Sequence, residues 1–299
     1  MEVVVQYNKP PLTFLKQVDL LISRGLSIPD KSDAAAFLSQ VSYYRLSAYF
    51  IPFEYERHVF WSDATFDRIR RLYVLDSAIR TALFEAIREL EIYFRTQITY
   101  QISIHDGAFA HYNTSFFRTG FDHAQWIKEV EDETTRSHEG FVTHYRKRYD
   151  EYPKLPLWMT TEIMSMGKLS QFYNWLLPDY QRLLSKPLGI HHRVLRSWLH
   201  TLTYLRNLCA HHARIWNREL AIRPELPRKD PAWQSINNTR LYAAVIMMEW
   251  LMIKAVLPVE PIMAVYSSMD NLRKAEPILA KGMGVPDGWQ GECRWKTVR

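Results

Sequence analysis

Apolar residues recur every three or four positions between Ile69 and Ile98, and this long stripe constrains the fold more than any other feature of the chain. The spacing follows the 3.6-residue period of an amphipathic helix, so we predict one long helix capped by Thr65. Asp76 falls inside the stripe, either at the margin of the core or as the partner of a buried cation. No segment shows the strand alternation, bounded by turn residues, that would predict a sheet. The sequence therefore predicts an all-α fold, a multi-helix bundle.

Shorter helices with recognisable ends accompany the long one. Thr13 is placed to cap a helix that Gly25 stops, and a second helix is predicted to start at Ser32 or Asp33. Turn-forming residues predict a loop over 106–122. Further helices are predicted over 122–139, 166–177, 192–217 and 241–257.

The chain is long enough to bury a sizeable core. With 299 residues, 47% of them hydrophobic, it suits one large domain or two closely associated ones. We expect residues 1–60 to form a helical segment packed on the core and residues 61–299 to form one compact helical domain. The net charge of +6 and the isoelectric point near 9.2 favour polyanionic partners without establishing them.

Cysteine usage and hydropathy bear on where the protein works. Cys209 and Cys293 form neither a disulfide framework nor a paired metal-ligand pattern, which is typical of a reducing compartment. The most apolar run, from Leu241 to Leu257, is interrupted by charges and is shorter than the roughly 20 apolar residues that a membrane span needs. The first residues lack the basic region of a signal peptide. We therefore expect a cytoplasmic protein with no membrane partner.

The segment from Arg206 to His212 holds residue types that can cleave RNA without a metal. Arg206 supplies a cation for a phosphate, and His211, five positions later, supplies an imidazole for proton transfer. Asn207 can orient the imidazole or hold a phosphate oxygen. His212 gives a spacing one residue longer, so which histidine acts is open. As a bare pattern this spacing is weak, because it occurs by chance in many proteins.

On an ideal helix, which advances 100° per residue, the residues around this segment separate into two faces. Cys209 and Ala213 fall on an apolar face, with Arg206 in the middle of it. A second face is polar and has no carboxylate, which suits a phosphate backbone, although most polar helix faces are simply solvated. This basic stripe consists of Arg196, His200, Thr203, Asn207, His211, Arg214 and Arg218.

A guanidinium in an apolar stripe is costly unless it is paired and hydrogen-bonded. One explanation is an internal ion pair, for which Asp76, Glu89 and Glu91 are candidates. The other is a cleft between helices or subunits in which Arg206 meets a substrate. Arg206 and His211 would lie about 140° apart on one helix. A symmetric dimer would bring both types of residue to one phosphate.

The reaction open to such a site is attack of an RNA 2′-hydroxyl on the adjacent phosphorus. A histidine near its ordinary pKa of about 6.5 can take and return a proton at neutral pH. A guanidinium can neutralise the charge that builds on the phosphorane oxygens. The products would carry a 2′,3′-cyclic phosphate and a 5′-hydroxyl, and DNA would not be a substrate.

Motifs over most of the chain resemble one bacterial family. The matching segments are Lys9–Phe14 with Leu21–Leu26, Val41–Tyr49, Leu157–Met159 with Glu162 and Gly167–Ser170, and Leu205–Arg218. Together they are similar to the Abi-like family of abortive-infection proteins (the AbiD/AbiF type), whose core belongs to the HEPN superfamily. The last segment resembles the Arg-x4-6-His ribonuclease motif of that superfamily.

This resemblance implies a HEPN-type helical core and metal-independent RNA cleavage in a phage-defence or toxin–antitoxin system. It carries over Arg206 and His211 as catalytic and Asn207 as the polar residue after the arginine, with His212 as the alternative histidine. One motif per chain implies a homodimer with a composite site. RNA is the implied partner, and an antitoxin or a guide-like RNA is a further candidate. Some HEPN proteins only bind RNA or other proteins, so a non-catalytic RNA-binding or regulatory module is the alternative.

Other candidate sites carry less weight. The pairs His191-His192 and His211-His212 lack clustered carboxylates, so we expect no metal and no cofactor. Cys209 would point away from His211 on a helix, which favours core packing over a nucleophile pair.

Aromatic residues near the N-terminus could contact nucleic acid. Tyr43, Tyr44 and Tyr49 could stack on bases, although aromatics at helical spacing more often lie in the core. Arg45 among them is either a phosphate contact or a paired structural arginine. The candidate RNA contacts are Arg45, Arg196, His200, Arg214 and Arg218.

Overall fold

The structure is a computed structural model that describes residues 10–227 and 229–295. Within these residues the all-α prediction is confirmed, because thirteen α-helices account for most of the chain and the one sheet is a two-stranded hairpin. The chain divides into two compact units, Met1–Ala78 and Ile79–Arg299. The division falls inside the longest helix.

The first unit contains three short helices, a hairpin and the start of the long helix. These elements are α1 (Phe14–Ser23), α2 (Lys31–Val41), α3 (Tyr43–Ser47), β1 (Glu54–Glu56) and β2 (Val59–Phe60). As predicted, the Thr13 hydroxyl caps α1 by accepting from the N–H of Lys16, and Gly25 follows with a φ of +95°. Asp30 caps α2, so that helix starts slightly earlier than predicted. The antiparallel hairpin was not predicted, because its strands are too short for an alternating pattern.

The predicted long helix is α4 (Phe66–Asp106), which continues beyond Ile98. Its cap is Thr65, whose hydroxyl accepts from the N–H of Arg68 at 3.3 Å. Asp76 is fully buried and its Oδ2 accepts a 2.5 Å hydrogen bond from the hydroxyl of Tyr49. The carboxylate in the apolar stripe therefore lies in the core, rather than at its margin.

The second unit contains the rest of α4 and nine further helices among the described residues. They are α5 (His123–Arg136), α6 (Gly140–Arg148), α7 (Leu157–Ile163), α8 (Met166–Trp175), α9 (Pro178–Ser185), α10 (His192–Ala210), α11 (Leu241–Lys254), α12 (Glu260–Ala275) and α13 (Pro277–Ala280). The helix that carries the Arg-x4-His segment is α10, and it packs against α8, α9 and α11. It is therefore held by neighbours along its length.

The most apolar run of the sequence forms α11, a core helix that is buried on nearly every side. No helix in residues 10–227 and 229–295 combines the length and the apolarity needed to cross a membrane. Glu249, which interrupts the run, is buried and accepts hydrogen bonds from the backbone N–H groups of Arg294 (3.1 Å) and Trp295 (3.0 Å). The carboxylate thereby ties the C-terminal segment to the core.

A cluster of tryptophans connects that segment to α10. The indole of Trp233 lies 4.9 Å from that of Trp295 and 5.4 Å from that of Trp198 on α10, measured between ring centroids. Trp198 also donates its indole N–H to the backbone oxygen of Glu225 at 2.7 Å. Aromatic packing of this extent fixes the apolar face of α10.

Candidate active site at the end of α10

The helix α10 ends inside the Arg-x4-His segment. We predicted a helix over 192–217, but the last helical residue is Ala210 and His211 is the C-cap. The prediction was wrong from His211 onward, and the helical angles assigned to the residues beyond it do not apply. No glycine or proline marks this end in the sequence, which is why periodicity alone overran it.

The end of α10 is a Schellman motif. The N–H of His212 donates to the backbone oxygen of Cys209 at 3.0 Å, and the N–H of Ala213 donates to that of Leu208 at 2.9 Å. His212 has a φ of +53°, the left-handed conformation that glycine usually supplies at this position. The histidine pair therefore lies where the chain leaves the helix, with both residues exposed.

Arg206 lies in the last turns of α10 and is half-buried. Its Nη1 donates to the Oδ1 of Asn207 at 3.4 Å, while its Nε is buried without a hydrogen-bond partner. Within the described residues Arg206 makes no ion pair, since Glu89 binds Arg88 and Glu91 binds Arg95. Internal charge pairing therefore does not explain this arginine.

Asn207 connects the arginine to the histidine through its two oxygens. Its side-chain Oδ1 faces Arg206, and its backbone oxygen accepts from the N–H of His211 at 3.0 Å. The imidazole of His211 makes no hydrogen bond within the part of the chain that the structure describes. The side-chain amide of Asn207 thus contacts the guanidinium of Arg206 and not the imidazole of His211.

The chain after the histidines is anchored to the second unit. Trp216 is buried and its indole N–H donates to the backbone oxygen of Leu279 at 2.8 Å. Asn217 adopts a φ of +49°, accepts from Arg240 at 3.2 Å, and packs so closely on Gly282 that a Cβ there would lie 3.0 Å from the asparagine. Exposed histidines are therefore carried on a backbone that is fixed on both sides.

The basic stripe does not continue beyond α10. Arg196 and His200 lie on the helix, half-buried and exposed respectively. Arg214 instead places its guanidinium 5.8 Å from the ring of Trp216, and Arg218 donates from Nε to the backbone oxygen of Arg214 at 2.6 Å. The prediction of one continuous seven-residue face was wrong, because the helix ends before its last three members.

Two of the three N-terminal tyrosines do not lie in the core. Tyr44 is 89% exposed, and the hydroxyl of Tyr43 accepts from Arg24 at 2.7 Å beside a groove of about 1010 Å³ in the first unit. Tyr49 is the buried one. Arg45 is exposed on α3. All four residues, the three tyrosines and Arg45, belong to the first unit.

The described residues offer few groups for cysteine or metal chemistry. Cys209 is buried on the apolar face of α10, as packing predicted. No three His, Cys, Asp or Glu side chains in residues 10–227 and 229–295 are grouped to hold a metal ion.

Sequence reasoning missed a second polar group at the opposite end of α10. The Nδ1 of His192 lies 2.9 Å from the Oε1 of Gln181, a buried residue of α9. Arg118, from the loop before α5, donates to the backbone oxygen of Asn174 at the end of α8. The His191-His192 pair was a signal in the sequence, but its partners come from other helices and no spacing reveals them.

The left-handed conformation at His212 makes a testable prediction about stability. His212→Val is expected to lower the free energy of unfolding by about 1–2 kcal/mol, because a β-branched residue is strained at positive φ. His212→Gly is expected to fold at least as stably as the wild type, because glycine tolerates this conformation. Urea unfolding of both variants measures the difference. Equal stability of the two variants would show that the left-handed turn is not kept in solution.

The chain was compared with known proteins. A family model described as Abi-like protein matches residues 36–217, which is well over half of the chain and includes the whole of α10 and the histidine pair. No match was found among curated proteins or among solved structures.

Proposed function

Because this chain belongs to the Abi-like protein family, we propose that it is a metal-independent endoribonuclease of a phage-defence (abortive-infection) or toxin–antitoxin system. The observation that carries the proposal is that Arg206 and His211 lie at the same end of α10. Within the described residues the guanidinium of Arg206 has no carboxylate partner, and the exposed imidazole of His211 follows five residues later at the C-cap of α10. Together with Asn207 these residues constitute the Arg-x4-His ribonuclease site of a HEPN-type core.

The arginine is suited to a phosphate. A buried Nε without an acceptor costs about 1–3 kcal/mol, so its retention calls for an explanation. Asn207 holds one side of the guanidinium, and the remaining Nη donors can take phosphorane oxygens in its planar fork. Arg206 would thus neutralise the charge that develops as the 2′-hydroxyl attacks.

The reaction needs two proton transfers. One proton leaves the attacking 2′-hydroxyl, and another reaches the departing 5′-oxygen. His211 of one chain can perform one of them, and a second copy of the chain would supply the other. A catalytic imidazole is ordinarily oriented by a neighbour, which His211 lacks within the described residues. A homodimer that joins the two α10 ends would provide both the second imidazole and this orientation.

One observation favours a second candidate function. No side chain among the described residues binds the ring of His211 and fixes its tautomer, as expected of a surface that binds RNA without cutting it. The exposed basic residues of α10 would then hold the phosphate backbone, and the chain would be a non-catalytic RNA-binding or regulatory HEPN module. In either case we propose a bacterial cytoplasmic setting and an antitoxin or guide-like RNA as a further partner.

Cleavage of chemically modified RNA separates these functions. Purified protein in excess EDTA is expected to cut a single-stranded RNA and to leave 2′,3′-cyclic phosphate and 5′-hydroxyl ends. The same strand with 2′-deoxy nucleotides at the cut positions is expected to bind but to remain intact, because the nucleophile is missing. Arg206→Gln, purified identically, controls for contaminating nucleases and is expected to be inactive.

Two results would contradict the proposed endoribonuclease activity. Cutting of the deoxy strand would exclude attack by the 2′-hydroxyl. Binding of RNA by both proteins without cleavage by either would favour the non-catalytic module.

A further inference from the structure

Two guanidinium groups and one imidazole lie near the N-terminal half of α10: those of Arg118, Arg196 and His192. His192 and Arg196 lie one turn apart on the helix. Arg118 donates to the backbone oxygen of Asn174, and its guanidinium lies 5.2 Å from the ring of Trp175, both at the end of α8. A hydrogen-bond network through the same backbone oxygen of Asn174 connects Arg118 to His192 in the second unit.

Gln181 fixes the ring of His192. Its Nε2 donates to the backbone oxygens of Tyr173 (2.8 Å) and Asn174 (3.0 Å). Because both of these partners are acceptors, the remaining amide atom is Oε1, and it accepts from the Nδ1 of His192 at 2.9 Å. Nδ1 therefore carries a proton, and Nε2 is the ring nitrogen left for a ligand.

No carboxylate balances this cluster within the described residues. Arg196 makes neither a hydrogen bond nor an ion pair there, and Arg118 has a buried Nε without an acceptor. Burial, and then the charge of Arg196, lower the pKa of Arg118 from its usual value. Burial, and then the neighbouring His191 and nearby arginines, lower the pKa of His192. The charges of Arg118 and Arg196 repel each other, and a bound anion would relieve the repulsion.

We propose that Arg118, His192 and Arg196 form a phosphate-binding subsite, occupied by a phosphodiester group of the RNA strand that is cut at the other end of α10. The guanidinium of Arg196 can present its planar fork to a phosphate, and the Nη of Arg118 that does not bind Asn174 can add a further donor. The Nε2 of His192 adds a third donor when the bound anion draws a proton to it. That the ligand is RNA rests on the proposed function, whereas the anion site itself does not.

The spacing along α10 gives the subsite a role in orienting the strand. The helix rises 1.5 Å per residue, so Arg196 lies about 15 Å from Arg206 along the axis. His200 is exposed between them. Arg196 and Arg206 also lie about 80° apart around the axis, so a strand that passes from the subsite to the cut would cross part of the helix surface and cover several nucleotides. Occupation of the subsite would therefore fix which bond reaches Arg206 and His211.

Binding, without cleavage, tests the subsite. The probe is single-stranded DNA, which carries the phosphates but lacks the 2′-hydroxyl, and its affinity for the full chain is measured as a function of salt concentration. Arg196→Gln is expected to weaken binding roughly tenfold and to reduce the slope of log K against log salt by about 0.7, the value for one contact to a single strand. The variant is expected to fold normally, because Arg196 makes no internal hydrogen bond or ion pair in the described chain.

The matched control is Arg182→Gln. Arg182 belongs to the same neighbourhood, but Asp179 already balances its charge. This variant makes the same change in net charge and is expected to leave the slope unaltered. If the slope of log K against log salt falls equally in both variants, DNA is held by general charge attraction and the subsite is overturned. An unaltered slope in Arg196→Gln would also overturn it.

Inorganic phosphate tests whether the anion that binds here is a phosphodiester group of RNA or a free phosphate compound. At constant ionic strength it is expected to shift the ring NMR signals of His192 in the wild type and not in Arg196→Gln. A phosphate response together with an unaltered DNA slope would assign the site to a free phosphate compound and overturn the RNA assignment. If the wild type cuts no RNA but Arg196→Gln reduces the slope of log K against log salt as expected, the proposed ribonuclease activity is contradicted and the subsite stands.

Discussion

His211→Ala is expected to slow RNA cleavage about 10²–10⁴-fold, the range attributed to a general acid–base residue. The fold should be unaffected, because the ring is exposed and makes no hydrogen bond within the described residues. Alanine also accepts the φ of −90° found at this C-cap. Single-turnover rates on a saturating RNA measure the loss, and circular dichroism verifies the fold.

His212→Gly is the matched control for this loss. It removes the adjacent imidazole while keeping the left-handed conformation of the turn, so the backbone of His211 stays in place. We expect this variant to cleave as fast as the wild type. Loss of cleavage in His212→Gly, with retention in His211→Ala, would assign catalysis to the longer Arg-x5-His spacing. Full activity of both variants would exclude proton transfer by either ring.

Local signals explain why some elements could be predicted. The hydroxyl of Thr13 and the freedom of Gly25 act within one helical turn, so the ends of α1 can be read from the sequence. The stripe that runs from Ile69 predicts α4 because its 3.6-residue period is sustained. In each case the residues that determine the structure are close together in the chain.

The end of α10 depends on distant contacts and could not be predicted in this way. His212 occupies a position at which glycine is the usual signal, and Trp216 is held in place by Leu279, far along the sequence. The positions predicted from an ideal helix therefore hold for Arg196 and Arg206, which lie on α10, and fail for Arg214, which lies beyond its end. The same limit hid the partners of His192, because Gln181 on α9 reaches it only in the folded chain.

Truncating Glu249 is expected to be among the most destabilising single changes in the chain. Its carboxylate accepts from the N–H groups of Arg294 and Trp295 and, at 2.6 Å, from the hydroxyl of Tyr266. Glu249→Ala leaves these three donors without their acceptor, at about 1–3 kcal/mol for each of the two buried ones and less for the part-buried N–H of Arg294. We expect the free energy of unfolding to fall by about 3–5 kcal/mol, measured by urea denaturation.

Glu249→Gln separates the lost acceptors from the lost volume. The glutamine has nearly the same shape, but its amide group replaces one acceptor oxygen with a donor and would face a backbone N–H. We therefore expect an intermediate loss. Glu260→Gln, on the exposed first turn of α12, is the control and should change stability by less than about 0.5 kcal/mol.

Hydrogen exchange locates the effect within the molecule. In the Glu249 variants the amides of Arg294 and Trp295 should exchange faster than those of α10 if the C-terminal segment detaches first. Because Trp295 packs on Trp233, which packs on Trp198 of α10, further loosening should then reach the helix that carries Arg206. Unchanged protection of both amides, with wild-type stability, would mean that the buried carboxylate does not hold this segment in solution.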